Sequence, residues 1–327
     1  MKTTLLMPVA VAGLLFASGA MGATPYDVLM KAKKYPDVEK MAAAALVQDP
    51  ANVEAMAARI EAILAAGRSE RIEEAVKLAQ QCVAVKPADA RCHLELGKAL
   101  GSKAMNGGMM SAMGYAGDIR NAFKKAVELD PRNLDARFSL LQYYLMAPGI
   151  VGGGTGKAET LTAQTTALHA EAAKLMQAKI DLAADNLAKA EAAALAVRAG
   201  SDDELADQQQ ETLASIGFRH LSQKRVAEAE RVFNETVKRF PDADNAVYGQ
   251  ARAFQEQGKH KEALAILEPM LRNDDRAYIH YRIAKSLQAV GDKQRAKAAF
   301  EKALSLKADL PKPMKSDAED QLKALKG

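Results

Sequence analysis

The stretch NAVYGQARAFQEQGKHKEALAILEPMLRNDD, Asn245 to Asp275, decides the fold. Val247, Ala251 and Phe254 recur at three- and four-residue spacing and so place one apolar stripe on a helix. Gly258 interrupts the pattern, and Ala263, Leu267 and Met270 start it again. Two helices joined by a tight turn are the expected result. The next stretch repeats the order: Ile283, Ala284 and Leu287, then Gly291-Asp292, then Ala296, Phe300 and Ala303. The preceding one supplies Ile216-Gly217, Ala229, Phe233 and a closing Pro241. Ala229, Ala263 and Ala296 stand 34 and 33 residues apart.

This order resembles the tetratricopeptide repeat, a helix-turn-helix unit of about 34 residues. Small residues at Gly217, Ala251, Ala263 and Ala296 let two helices approach closely, while Phe233, Leu267 and Phe300 fill the space between successive pairs. The resemblance is strongest over 210–308. It recurs at Leu96-Gly97 with Leu100, and at Phe123, Ala126 and Val127-Glu-Leu-Asp-Pro131. Gln48-Asp-Pro50 and Lys86-Pro87 end two further second helices, and the likeness fades between 160 and 200. Upstream of Ala229 the equivalent residues are Ala190, Ala158, Ile119, Ala75 and Val38, at intervals of 39, 32, 39, 44 and 37. About eight units are therefore expected, several with insertions. The family implies an all-α, right-handed α-solenoid whose concave face is lined by the first helix of each pair. A C-terminal capping helix over Ser316 to Lys326 is expected, with Ser316 and Glu319 as a capping box and Leu322 and Leu325 as a narrow apolar stripe. The divisions are residues 1–22, a divergent array over 23–200 and a regular array with its cap over 201–327.

Composition agrees with helices. The 327 residues are 49% hydrophobic, 26% charged and only 5% aromatic, with no Trp, and strands favour aromatic and β-branched side chains. A net charge of +4 is too mild to describe a nucleic-acid binder. Met1-Lys-Thr-Thr4, the apolar run Leu5 to Ala17 and the small-residue run Ser18 to Ala23 have the layout of a secretory signal peptide, with cleavage after Gly22 or Ala20. No Cys follows the apolar run, so no lipid-attachment site is present there. The expectation is a periplasmic or secreted protein without a transmembrane segment once the signal is removed.

Cys82 and Cys92 flank Pro87 almost symmetrically, near the end of one helix and the start of the next. Helices joined by a tight turn can bring two such residues within disulfide range, and the alternative is a pair of small buried thiols. Two insertions, 105–117 and 147–156, interrupt consecutive units between their helices and should emerge as neighbours on one edge. The tract Tyr143-Tyr-Leu-Met-Ala-Pro-Gly-Ile-Val-Gly-Gly153 resembles a segment of exported bacterial tetratricopeptide proteins. Gly152-Gly-Gly-Thr-Gly-Lys157 lacks the first Gly, the hydroxyl residue and the preceding strand of a phosphate loop, so no nucleotide is expected. Met105, Met109, Met110 and Met113 admit three readings: packing of the insertion on its own helices, a partner-contact surface, or a soft-ligand Cu(I) site.

His93, His169, His220, His260 and His280 are scattered, and no catalytic motif or recognisable metal motif appears. On the family register the concave face presents Asn245, Tyr248 and Arg252, then Tyr278, Tyr281, Arg282 and Lys285. From Arg272 to Lys307 basic residues outnumber acidic ones by nine to four. An aromatic, cationic groove suits an extended or acidic peptide, although it departs from the Lys and Asn pattern by which some family members clamp chaperone C-termini. The resulting expectation is a cofactor-free, non-enzymatic scaffold for a protein or peptide. A copper-handling carrier and an accessory subunit of an envelope complex are the alternatives.

Overall fold

A computed structural model describes residues 24–272, 275–306 and 310–326. The expected signal segment lies outside the described residues. Those residues form seventeen α-helices and no strand. The first sixteen are eight antiparallel pairs: α1 (Pro25–Lys31) with α2 (Tyr35–Gln48), α3 (Val53–Ala65) with α4 (Ile72–Val85), α5 (Ala90–Asn106) with α6 (Gly108–Leu129), and α7 (Leu134–Met146) with α8 (Thr155–Thr166). The second half continues with α9 (Ala170–Ala183) and α10 (Leu187–Ala196), α11 (Asp203–Ser222) and α12 (Val226–Arg239), α13 (Asp244–Glu256) and α14 (His260–Met270), and α15 (Ala277–Ala289) and α16 (Lys293–Ser305). A last helix, α17 (Lys312–Lys326), packs on α15 and α16. The first helices of neighbouring pairs touch one another along much of the array, so they form the inner, concave layer of a right-handed α-solenoid.

Seven of the eight spaced positions read from the sequence coincide in structure. Val38, Ala75, Ala158, Ala190, Ala229, Ala263 and Ala296 are each the fourth residue of a second helix, and all are fully buried. Ile119 is the exception in position, standing deep inside the long α6, though it too is buried. One turn further on, Phe123, Phe233, Leu267 and Phe300 are buried between successive pairs. The Phe233 ring lies against Gly217 and Gly249, and the Phe123 ring against Gly97, so closely that a Cβ on any of the three glycines would overlap it.

Two kinds of turn alternate. Each first helix reaches its partner through a left-handed residue, such as Gly258 (φ 75°) and Gly291 (φ 87°), which closes the helix end. Lys33, Asp185 and Lys224 fill that position in three pairs without glycine. Several return turns instead use Pro and an Asn or Asp cap, as at Asn52 and Asn133, whose side chains accept from the N–H groups of Ala55 and Ala136.

The structure corrects two expectations. Residues 105–117 are not a loop: α5 and α6 extend through them as a helical hairpin, broken only at Gly107, with left-handed Gly108 opening α6. Ser316 is not a helix cap, because α17 begins at Lys312 with Pro313 in its first turn, where a missing N–H costs nothing. Ala318 is buried and Leu322 and Leu325 pack beside it, so the cap still covers the apolar end of the array.

The array closes on itself. Lys31 Nζ lies 2.7 Å from Asp203 Oδ2, Lys33 Nζ 2.6 Å from Asp244 Oδ2, and Arg276 Nη2 donates to the Ala65 carbonyl at 2.8 Å. The first two pairs thus meet the sixth to eighth, and these contacts are polar and partly exposed. Such ion pairs are worth about 0–1 kcal/mol each and weaken with salt. The double substitution Lys31→Glu with Lys33→Glu is therefore expected to raise the radius of gyration in small-angle scattering with unchanged helix content. Asp203→Lys with Asp244→Lys added to it should restore the compact value.

Candidate functional site

The concave face of the last two full pairs is built by α13 and α15, whose small residues Ala251 and Ala284 are buried and let neighbours close in. The Tyr248 and Tyr278 rings meet edge to face at 5.1 Å, and Phe218 of α11 continues the aromatic row at 6.1 Å from Tyr248. Arg282 Nε donates to the Tyr248 hydroxyl at 3.3 Å, and its guanidinium stands 5.5 Å from the Tyr281 ring centroid. Arg252, one turn after Tyr248, has a buried Nε without a hydrogen-bond partner. Burial, and next the charge of Arg282, push the Arg252 guanidinium below its ordinary pKa. Among the described residues neither arginine is paired with a carboxylate, so two unneutralised cations share one aromatic groove.

The remaining groove residues read from sequence divide differently. Tyr281 is buried, and its hydroxyl donates to Asp317 Oδ2 of α17 at 2.7 Å; burial and that bond push its pKa up to about 12. It anchors the cap and does not line the groove. Lys285 also reaches Asp317, at 3.2 Å, and Asn245 is exposed at the start of α13. Met109, Met110 and Met113 belong to a different surface, on the first two turns of α6, where they are exposed. Cys82 and Cys92 form a disulfide across the α4–α5 turn, with Cα atoms 5.2 Å apart. Lys157 donates to the Gly152 carbonyl at 2.8 Å, so the glycine tract closes on its own lysine.

A second feature of the concave side escaped the sequence reading. Lys98 Nζ lies 2.6 Å from Asp135, 3.0 Å from Glu95 and 3.6 Å from Glu61, and so ties α3, α5 and α7 together. Burial works against the ammonium, but the Glu95, Asp135 and Glu61 charges outweigh it and hold Lys98 well above its ordinary pKa. Glu95 is fully buried, with Oε2 unpartnered, and burial pushes its pKa up to about 8 against the pull of Lys98. On α11, burial also raises Glu204, to about 7, and Glu211, while on α9 it lowers Lys179. The available signal was charge at inward spacing, as in Arg91, Glu95 and Lys98, or Glu204, Asp207 and Glu211.

Tetratricopeptide-repeat family models match residues 220–289 and 277–310. Residues 220–310 thus carry tetratricopeptide repeats, and the pairs before them continue the same helical architecture. Its fold is similar to that of yeast Tom70, with a TM-score of 0.63 at 12% identity, covering 96% of this chain and 66% of that one. A chain of the APC/C Cut9–Hcn1 hetero-tetramer structure aligns at 16% identity and a TM-score of 0.47, over 92% of this chain and 54% of that chain. The present chain thus spans about half the length of that one. The pilF protein of Pseudomonas aeruginosa aligns at 14% identity and a TM-score of 0.43, over 68% of this chain and 93% of that one. Identities this low concern the fold alone. No match is found among curated proteins. A tetratricopeptide array of this kind is typically an interaction scaffold for other proteins.

Glu95 gives this concave face a pH signature. Between its ordinary value of 4.5 and about 8, the folded chain holds a proton that the unfolded chain releases. Its contribution to stability therefore falls as pH rises through that window. Relative to Glu95→Gln, the wild type should lose on the order of a few kcal/mol of unfolding free energy between pH 5 and pH 8. Urea titrations of both proteins at the two pH values measure the difference.

Proposed function

We propose that this tetratricopeptide-repeat protein is an exported, non-enzymatic scaffold whose C-terminal concave face binds an extended acidic segment of a partner protein. The observation that carries this reading is the Arg252–Arg282 pair, held beside Tyr248 and Tyr278 without a neutralising carboxylate. A bound carboxylate would relieve the repulsion between the guanidinium groups and take their planar N–H donors, while the tyrosines cover the peptide's apolar atoms. The acidic inner face of α11 lies elsewhere on the same concave side and favours the opposite charge, which would fix the direction of a ligand crossing both regions.

Fluorescence anisotropy with a labelled Asp/Glu-rich peptide of about ten residues, and with its Lys-rich counterpart, tests the groove. Wild type should prefer the acidic peptide, and Arg252→Ala with Arg282→Ala should weaken it at least about tenfold, roughly 1.4 kcal/mol, without loss of helicity. Equal binding of the two peptides, or an unaffected double variant, refutes the assignment.

Export is supported by the layout of residues 1–23 and by the Cys82–Cys92 bridge, since disulfides persist in oxidising compartments. Protein recovered from the extracytoplasmic fraction should begin near residue 23 and show no free thiol on denaturation. Reduction should lower its melting temperature, the bridge being worth about 2–3 kcal/mol.

A further inference from the structure

We propose that the edge formed by the α5–α6 finger and the 147–154 loop docks on a bilayer surface containing anionic phospholipid. Of the eleven large hydrophobic side chains exposed among the described residues, six lie here: Met105, Met109, Met110, Met113, Met146 and Ile150. The two tracts are neighbours, with α6 packed on the 149–151 turn and Arg120 Nη1 donating to the Val151 carbonyl at 3.3 Å. Residues 104–117 and 138–156 contain no Asp, Glu, Lys, Arg or His. An apolar patch of this kind is seldom left open to water.

The backbone beneath the patch is prepared for an apolar medium. The finger is helical on both sides of its tip, so its amides are largely satisfied internally. In the loop, the Val151 carbonyl accepts from Arg120 and from the Tyr143 hydroxyl at 2.6 Å, the Gly152 carbonyl from Lys157, and the Tyr144 carbonyl from the Gly154 N–H at 2.8 Å. Ile150, 87% exposed, is thereby held outward by a fixed loop. The starts of α6 and α8, which both fall on this edge, lack a side-chain cap, and headgroup phosphate oxygens are suitable acceptors for a helix N-terminus.

Charge selects the occupant. All turns from a first to a second helix fall on this edge of the array, because every pair reverses the same way. Exposed Lys34, Arg68, Lys224, Arg225 and Lys259 occupy those turns, Lys224 being paired with Glu256 at 3.1 Å, against exposed Glu70 and Asp185 and half-buried Asp292. A basic excess along the same edge as an uncharged apolar wedge matches anionic headgroups above acyl chains. The wedge itself offers flexible thioethers and no charged group for directional recognition of a protein. This inference stands apart from the peptide groove, which lies on α13 and α15.

The chain contains no tryptophan, so one introduced indole reports its site alone. Met110→Trp is mixed with vesicles of phosphatidylglycerol and phosphatidylcholine, and with phosphatidylcholine alone. The expected result is a blue shift with the anionic vesicles, quenched by brominated acyl chains and weakened by salt. Adding Met109→Ser, Met113→Ser and Ile150→Ser should reduce vesicle affinity at least about tenfold while circular dichroism stays unchanged. Val47→Trp, on the opposite edge, should show no shift. Absence of a shift at Met110→Trp, an equal shift at Val47→Trp, or a blue shift that follows protein concentration without vesicles would overturn the proposal, the last in favour of self-association.

Discussion

The seating of Phe233 on Gly217 and Gly249 is the contact on which the array depends. It sets the distance between α11 and α12 within a pair and between α12 and α13 across pairs, because any side chain on either glycine would collide with the ring. Phe123 on Gly97 applies the same rule in the third pair. Where the corresponding position is small, as at Ala42, Ala79, Thr162 and Ala194, the residue is still buried. The helices there meet without an aromatic wedge. Family likeness fades at those pairs because less bulk is specified, while the geometry persists because burial of the fourth residue does not change.

That separation explains what was legible in the sequence. The buried fourth positions, the glycine turns and the proline returns are local rules with a nearly fixed period, so about eight pairs are legible in the sequence. The finger could not, because Gly107-Gly108 and a Met- and Ala-rich run read as a loop when no neighbour is in view. Its helices persist because α5 and α6 pack along their shared length, with Ala104 and Ala116 buried between them. The start of α17 is hidden for a related reason: Ser316 looks like a cap, but Pro313, the second residue of the helix, opens it earlier. Closure was invisible, since Lys31 and Asp203, or Arg276 and Ala65, are joined only by the curvature of the whole array.

The candidate site was read in part. Tyr248, Tyr278, Arg252 and Arg282 do converge, because residues four apart share a helix face and the units stack in register. Tyr281 follows the same spacing yet turns toward Asp317, and no rule of periodicity distinguishes an inner-face residue from one that meets the cap. The charged network around Lys98 was overlooked because each of its members looks like an ordinary polar helix residue. Only the concave curvature brings Glu61, Glu95 and Asp135 around one ammonium.

Packing therefore constrains two sets of positions in each pair, the buried fourth residue and the wedge, and leaves the inner face and the edges free. The unneutralised arginines, the enclosed carboxylates and the exposed methionines all occupy free positions, and none of them improves the core. A guanidinium pair without a counter-ion costs stability through repulsion, and exposed apolar side chains cost solubility. The array accepts both because its folding is secured locally, pair by pair. In such a molecule the residues least explained by stability are those to examine for function, and here they fall on two separate surfaces of one solenoid.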